Sequence, residues 1–398
     1  MTKHRTNELG AVSLFIVVFT ALLITVVTVS FIRLTIRDEQ QATTVDLSQS
    51  AYDSAQAGVE DAKRAIIRYQ TVCATGDSAA CLAARTKINL DECNTGLSDI
   101  VTPVDGEVKI QQSSGDTVLD QAYSCVKVKL DTDDYLGVLS TNASKVIPLV
   151  STKPFNTVLL EWYSSENLQT TNSFDVDLQP GALLAQPLLA QNLWKPNRPS
   201  VMRAQLMQYS SSGFTLGSFD SVNATGQSNA NTLFLYPTGT TGTTSSVVDE
   251  ASFVGRDNRA TPTGTRATTT NPFPVTCSGN LTGGGYACRV ELTLPDPVGA
   301  GSRLAYLKLS ALYNKSNYRL TLSNNGVDPA SFNGVQPQVD STGRANDLFR
   351  RVQSRVELTD LVDSSFPYPD SAVDVTGNLC KDFLITDTAS DYNNTCAP

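Results

Sequence analysis

Hydrophobic positions along the chain fall into three regimes. Ala11–Ile32, AVSLFIVVFTALLITVVTVSFI, is dominated by apolar residues and carries no charge. At about 1.5 Å per helical residue it extends roughly 33 Å, enough to cross a bilayer core of about 30 Å. From Arg33 to about Gln70 the pattern turns amphipathic. Val45, Tyr52, Ala55, Val59, Ala62, Ile66 and Tyr69 recur at helical steps, which predicts one apolar stripe on a continuing helix. Glu60, Asp61, Lys63 and Arg64 fall largely off that stripe, and small Ala55, Ala57, Gly58 and Ala62 would let another element approach closely.

Beyond residue 70 the period shortens. Val126–Leu130 alternates as a strand with one wet face, while Asp91–Thr95 and Ser113–Asp116 read as loops. From about Thr157 the chain is β-rich, with candidate strands at Thr157–Tyr163, Val201–Tyr209, Phe214–Phe219, Thr232–Tyr236, Ala287–Leu294, Leu304–Tyr313, Asn317–Leu322 and Phe349–Leu358. Asn314-Lys315-Ser316 separates two of these and predicts a hairpin. Thr238–Pro272, rich in Thr and Gly and low in aromatics, reads as a long exposed loop: a flexible insertion, or an O-glycosylated or contact surface. The fold class expected is α+β: a long N-terminal transmembrane and amphipathic helix, then a large, mainly β, disulfide-bearing region resembling an antiparallel sandwich. The expected divisions are 1–10 as leader, 11–70 as helix (11–32 transmembrane, 33–70 amphipathic), 71–150 as a cysteine-containing α/β subdomain, and 151–398 as a β-rich extracellular domain with its loop at 238–272.

The flanks of the apolar run change its meaning. A secretory signal would be cut behind its apolar region and discarded. Here a short polar leader, MTKHRTNELG, ends in Gly10 ahead of the run, and charge returns only at Arg33, Arg37, Asp38 and Glu39. That layout, with RDEQQATTVDLSQSAYDSAQAGVEDAKRA behind it, resembles the N-terminus of type IV pilin-like proteins, in particular PilX-type minor pilins and K-type minor pseudopilins. The Ala-Gly-x-Glu-x-Ala motif of those families corresponds to Ala57, Gly58, Val59, Glu60, Asp61 and Ala62, and the resemblance covers roughly the first 70 residues.

The resemblance implies cleavage between Gly10 and Ala11 and retention of Ala11–Ile32 as the assembly segment. Most pilins place a glutamate at the fifth mature position; here Phe15 stands there, and K-type pseudopilins, which are proposed to sit at a filament tip, also lack that carboxylate. A carboxylate in hydrocarbon costs a few kcal/mol unless paired, and a subunit with nothing above it has no amine to pair with. A head of more than 300 residues would also crowd its neighbours if repeated along a filament. The implied function is a minor, tip-located subunit that primes assembly or presents an adhesive surface. Its rival is a membrane-anchored adhesin or carbohydrate-binding protein that is not built into a filament. Implied partners are other pilin subunits through the helix, prepilin peptidase, the assembly platform, the membrane before assembly, and a host or surface ligand. The implied placement is single-pass, with the N-terminus cytoplasmic and the globular region extracytoplasmic, then at the cell surface on a pilus. Pilin filaments can lose helicity in the stretch matching Ile24–Ser30, whose β-branched residues are weak helix formers. The same stretch equally suits an ordinary anchor.

Composition narrows the chemistry. The chain has 398 residues and a net charge of −9, and its one histidine is His4 in the leader, so imidazole chemistry is closed to the mature protein. Cys73, Cys81, Cys93, Cys125, Cys277, Cys288, Cys380 and Cys396 all lie beyond the apolar run, an even set that suggests disulfides in an oxidising compartment. Pairing of sequence neighbours is expected, with partner exchange among the first four as the alternative. No G-x-S-x-G, H-E-x-x-H, P-loop or CxxC occurs, and the chain is read as a non-enzyme without catalytic residues or cofactor. Asp131, Asp133 and Asp134 form the one candidate metal set: calcium is what the K-type resemblance implies, and a solvated turn is the plainer reading. Arg344, Arg350, Arg351 and Arg355 cluster in GRANDLFRRVQSR, but the acidic balance of the chain argues against nucleic acid.

Overall fold

The computed structural model describes residues 9–110, 120–169, 173–178, 191–210, 228–239, 248–255, 272–299 and 303–357, with Leu189, Val222 and Gly226, and side chains from Phe15 onward. The chain opens with helix α1 (Leu9–Ala74), 66 residues without a break, and continues into α2 (Ser78–Ile88). Asp77 caps α2, its carboxylate accepting from the N–H groups of Ala79 and Ala80 at 3.0 Å. Fifteen strands complete the described chain: β1 (Val108–Lys109), β2 (Gln121–Thr132), β3 (Tyr135–Leu139), β4 (Ser144–Pro148), β5 (Phe155–Ser164), β6 (Val201–Ser210), β7 (Ala230–Thr238), β8 (Asp249–Ser252), β9 (Phe273–Thr276), β10 (Tyr286–Val298), β11 (Arg303–Leu312), β12 (Ser316–Asn324), β13 (Asp328–Ala330), β14 (Phe332–Ala345) and β15 (Leu348–Arg355). They form two compact units. The first comprises residues 1–69, 85–128 and 339–354, the second residues 70–84, 129–338 and 355–398.

In the first unit, the lower part of α1 packs on a four-stranded sheet of order β1-β2-β14-β15. The buried face of α1 is Ala51, Ser54, Ala55, Gly58, Val59, Ala62, Ala65 and Ile66. Ala55, Val59, Ala62 and Ile66 of the expected stripe lie on this face, but its N-terminal members are corrected: Val45 and Tyr52 are exposed. Small side chains decide the phase, because they permit the closest contact. At Gly343 of β14 an added Cβ would stand 2.7 Å from the Ser54 carbonyl carbon, and closer still to the Ala55 nitrogen and Ala51 oxygen. The strand lies directly on the helix backbone. Opposite it, Gly58 leaves room for the side chains of Val126 and Ser341. Tyr123, buried beside this contact, donates its hydroxyl to Asp61 at 2.8 Å.

In the second unit, two sheets contribute to one core. The larger runs β13-β12-β5-β10-β8 with β3 also on β12; the other runs β4-β11-β6-β7-β9. Val158, Leu160 and Trp162 of β5 alternate inward and meet Met202, Ala204, Leu206, Leu307 and Leu309 from the second sheet in the same apolar cluster. Both sheets are mixed rather than wholly antiparallel, since β8 joins β10 and β9 joins β7 in parallel.

Two sequence expectations are corrected here. Leu304–Tyr313 and Asn317–Leu322 are not a hairpin: β11 pairs with β4 and β6, whereas β12 pairs with β3, β5 and β13. The chain changes sheets at Tyr313, which sits at φ 76°. Asn314 anchors the crossing by donating to the carbonyls of Lys195 (2.9 Å) and Arg198 (2.8 Å). Nor is Thr238–Pro272 wholly a loop. Thr238 ends β7, and β8 pairs residue for residue with Val290–Thr293, with Ala251 buried within it and Phe253 buried just after it. Apolar burial beside an existing strand outweighs the poor strand propensity of Asp-Glu-Ala-Ser. The strand expected at Phe214–Phe219 and the loop at Ser113–Asp116 lie outside the described residues.

Three disulfides join sequence neighbours: Cys73–Cys81, Cys93–Cys125 and Cys277–Cys288. The first ties the end of α1 to α2. The third joins the residue after β9 to β10, and so links the two sheets of the second unit. Cys380 and Cys396 lie outside the described residues.

Candidate functional site: the apolar helix and the surfaces below it

Every described side chain of α1 from Phe15 to Asp46 is exposed, including the large apolar residues of the uncharged run. A soluble domain rarely leaves so long an apolar surface open. Its hydroxyl groups are satisfied within the helix. Thr20, Thr25, Thr28, Ser30 and Thr35 each turn the hydroxyl back onto a main-chain carbonyl one turn earlier, at 2.6 to 2.9 Å. These side chains therefore present methyl and methylene groups outward with their hydrogen bonding met within the helix. Ile24–Ser30 is helical in the single chain. Gly10 and Ala11 lie in the first turn of α1, and Phe15 is 79% exposed.

Below the apolar run, the first unit is pinned by an ionic cluster that no sequence pattern announces. The Arg344 guanidinium reaches Glu107 at 2.7 Å through Nε and Asp120 at 2.8 Å through Nη1, and Lys109 contacts Asp120 at 2.6 Å. Arg344 holds the Glu107 carboxyl below its ordinary range by hydrogen bonding, and Lys109 and then Arg344 do the same for Asp120. The other arginines of the basic stretch are also engaged. Arg350 donates to Ser48 of α1 at 2.8 Å, Arg351 pairs with Asp340, and Arg355 pairs with Asp134 at 2.7 Å. The stretch is therefore a set of separately matched cations and not a basic patch.

The three aspartates named for calcium do not converge. Asp131 lies within β2. Asp133 accepts from Lys129 (3.0 Å) and Ser331 (2.8 Å), and these contacts hold its carboxyl below the ordinary range. Asp134 is taken by Arg355. No group of three His, Cys, Asp or Glu side chains suited to a metal occurs among the described residues.

In the second unit the outward face of the larger sheet carries a cross-strand row, Arg319–Glu161–Arg289, set by the register of β12, β5 and β10. Glu161 is buried and meets Arg319 at 2.6 Å and Arg289 at 2.9 Å. No sequence signal marks this row, because its members come from three distant strands. Trp162 and Trp194 are both buried.

No family model, curated protein or solved structure matches this chain. Its own structure defines the class: among the described residues, one long apolar N-terminal helix that fits a single-pass membrane anchor, continuous with a large, mostly β, disulfide-bonded region.

Proposed function

We propose that the protein is a minor type IV pilin-like subunit, cut after Gly10, which uses Ala11–Ile32 first as a membrane anchor and then as its packing segment in a filament. The observation that carries this reading is α1 itself. One unbroken helix joins an open apolar surface to a lower face of small residues buried on a sheet. Phe15, in place of a carboxylate, and the size of the sandwich-like head favour a tip position, where the subunit primes assembly and offers its head for surface contact. The head would then lie outside the cytoplasm, where its disulfides persist.

The back-bonded hydroxyls support a second reading, since they equally suit a permanent lipid anchor carrying an adhesin. Intact mass and N-terminal sequencing of the chain from its native membranes separate the two. Loss of Met1–Gly10, with recovery of the chain in sheared filaments, is expected for the subunit. An intact Met1 and a chain confined to membranes would leave only the anchored adhesin.

A further inference from the structure

A cleft in the second unit, with more apolar than polar open surface, belongs to none of the features above. It has a volume of about 570 Å³ and is lined by Gln169, Ser173, Asp175, Asp177, Lys195 and Asn197, with the exposed Pro196 ring beside them. Its framework is internally fixed. Asn197 accepts from the Gln169 N–H at 2.9 Å through its side chain and from the Asp177 N–H at 3.0 Å through its carbonyl. Asp175 accepts from Ser173 (2.9 Å) and Asn280 (2.8 Å), and Asn280 also pairs with it across a β-bridge. Asp177 is held by Arg198 at 3.0 Å and Lys195 at 3.3 Å. The Arg198 side chain is buried against Trp194, 5.3 Å from the ring centre, and its Nη1 has no hydrogen-bond partner among the described residues. An orphaned buried donor is destabilising. The same guanidinium holds Asp177 through its other terminal nitrogen.

We propose that this cleft binds a neutral saccharide of one or two rings. Its volume lies in the range of small-ligand sites. The lining holds carboxylate acceptors (Asp175, Asp177), amides (Gln169, Asn197) and an ammonium (Lys195), a set suited to hydroxyls that both donate and accept. Pro196 offers an apolar surface for a ring C–H face. Asp177 already engages both nearby cations, Arg198 and Lys195, so a strong anion finds neither of them unmatched, and no group of three metal-ligating side chains gathers among the described residues. An extended peptide is disfavoured because the backbone is already spent. The Val176 N–H goes to Gly279, the Asp177 N–H to Asn197, and the Phe174 carbonyl accepts from Leu281. Saccharide binding is independent of filament assembly, so failure here leaves the processing test standing, and the reverse also holds.

The test is titration of the full chain, in a detergent without a sugar headgroup, with lactose, cellobiose, mannobiose and chitobiose, read by saturation-transfer NMR and calorimetry. At least one disaccharide is expected to bind saturably with Kd of roughly 0.1–1 mM. Gln169→Ala and Asp175→Asn are each expected to weaken it about tenfold. Lys153→Ala, on the exposed Lys153–Asp328 pair, should leave it unchanged. Unaltered fluorescence of Trp162 and Trp194 certifies that each variant is folded. The proposal is overturned if none of the four saturates below about 20 mM, if folded variants bind as the wild type does, or if a neutral peptide or a charged sugar displaces the disaccharide.

Discussion

Replacing Gly343 by alanine tests the helix-on-sheet contact of the first unit directly. The new methyl would stand 2.7 Å from the Ser54 carbonyl carbon and nearer still to two other backbone atoms of α1. Backbone atoms cannot rotate away. Restoring all three contacts to about 3.4 Å requires the strand and helix to part by about 1 Å, which forfeits up to a half of the dispersion energy across the interface. With the overpacking strain added, the expected loss is about 3 kcal/mol. Gly58→Ala supplies the internal comparison. Its methyl meets side-chain atoms of Val126 and Ser341, which can turn, and alanine raises helix propensity by about 1 kcal/mol over glycine. Its net loss should be about 1 kcal/mol. Both tryptophans lie in the second unit, so the readout is hydrogen exchange of the amides from Ala51 to Ile66, with far-UV circular dichroism during urea unfolding. A Gly343→Ala protein within about 0.5 kcal/mol of wild type, or one more stable than Gly58→Ala, would refute the close-packing account.

Three further outcomes rest on the same physics. Removing Cys93–Cys125, which closes a separation of 32 residues, should cost more than removing Cys73–Cys81 at 8 residues: about 3.7 against about 2.5 kcal/mol by loop entropy, checked by unfolding the two double-alanine variants. Glu161→Gln removes the charge between two half-exposed arginines and should destabilise the second unit by about 2 kcal/mol, read from tryptophan fluorescence. A neutral effect would show that the row is ornamental. Glu107 and Asp120 are held below their ordinary values of 4.5 and 3.8, so their contribution is complete above that range and is lost as pH falls through the lowered folded values. Arg344→Met should therefore flatten the pH dependence of first-unit stability below about pH 4.5, and an unchanged acid profile would count against the ionic cluster.

The features legible in the sequence were those of local pattern. The apolar run, the continuing helix, three neighbour disulfides and most strands announced themselves by period and spacing. The small residues of α1 signalled a close approach, but nothing local said that Gly343, almost three hundred positions on, would be the partner. The hairpin expectation failed for a related reason. Asn314-Lys315-Ser316 has the chemistry of a tight turn whether the chain doubles back or crosses between sheets, and the choice is made by Asn314 reaching the carbonyls of Lys195 and Arg198. β8 was hidden because its stability comes from β10 and from burial of Phe253, not from its own composition. The cleft at Gln169–Asn197 draws on residues that look like ordinary loop.

The fully exposed stretch of α1 from Arg33 to Asp46 also acts as a gear shaft. Its packed face begins at Ala51, roughly 28 Å along the axis from Ile32, and each residue of an unbroken helix rotates the next by about 100°. Splicing one residue into the shaft would swing the sheet-bearing side round by more than a quarter-circle relative to whatever grips the greasy end. An insert of eighteen, about five whole turns, would lift it without changing the direction it faces. Length and heading are thus separately adjustable in this molecule, and both are written into a segment whose side chains all stand open.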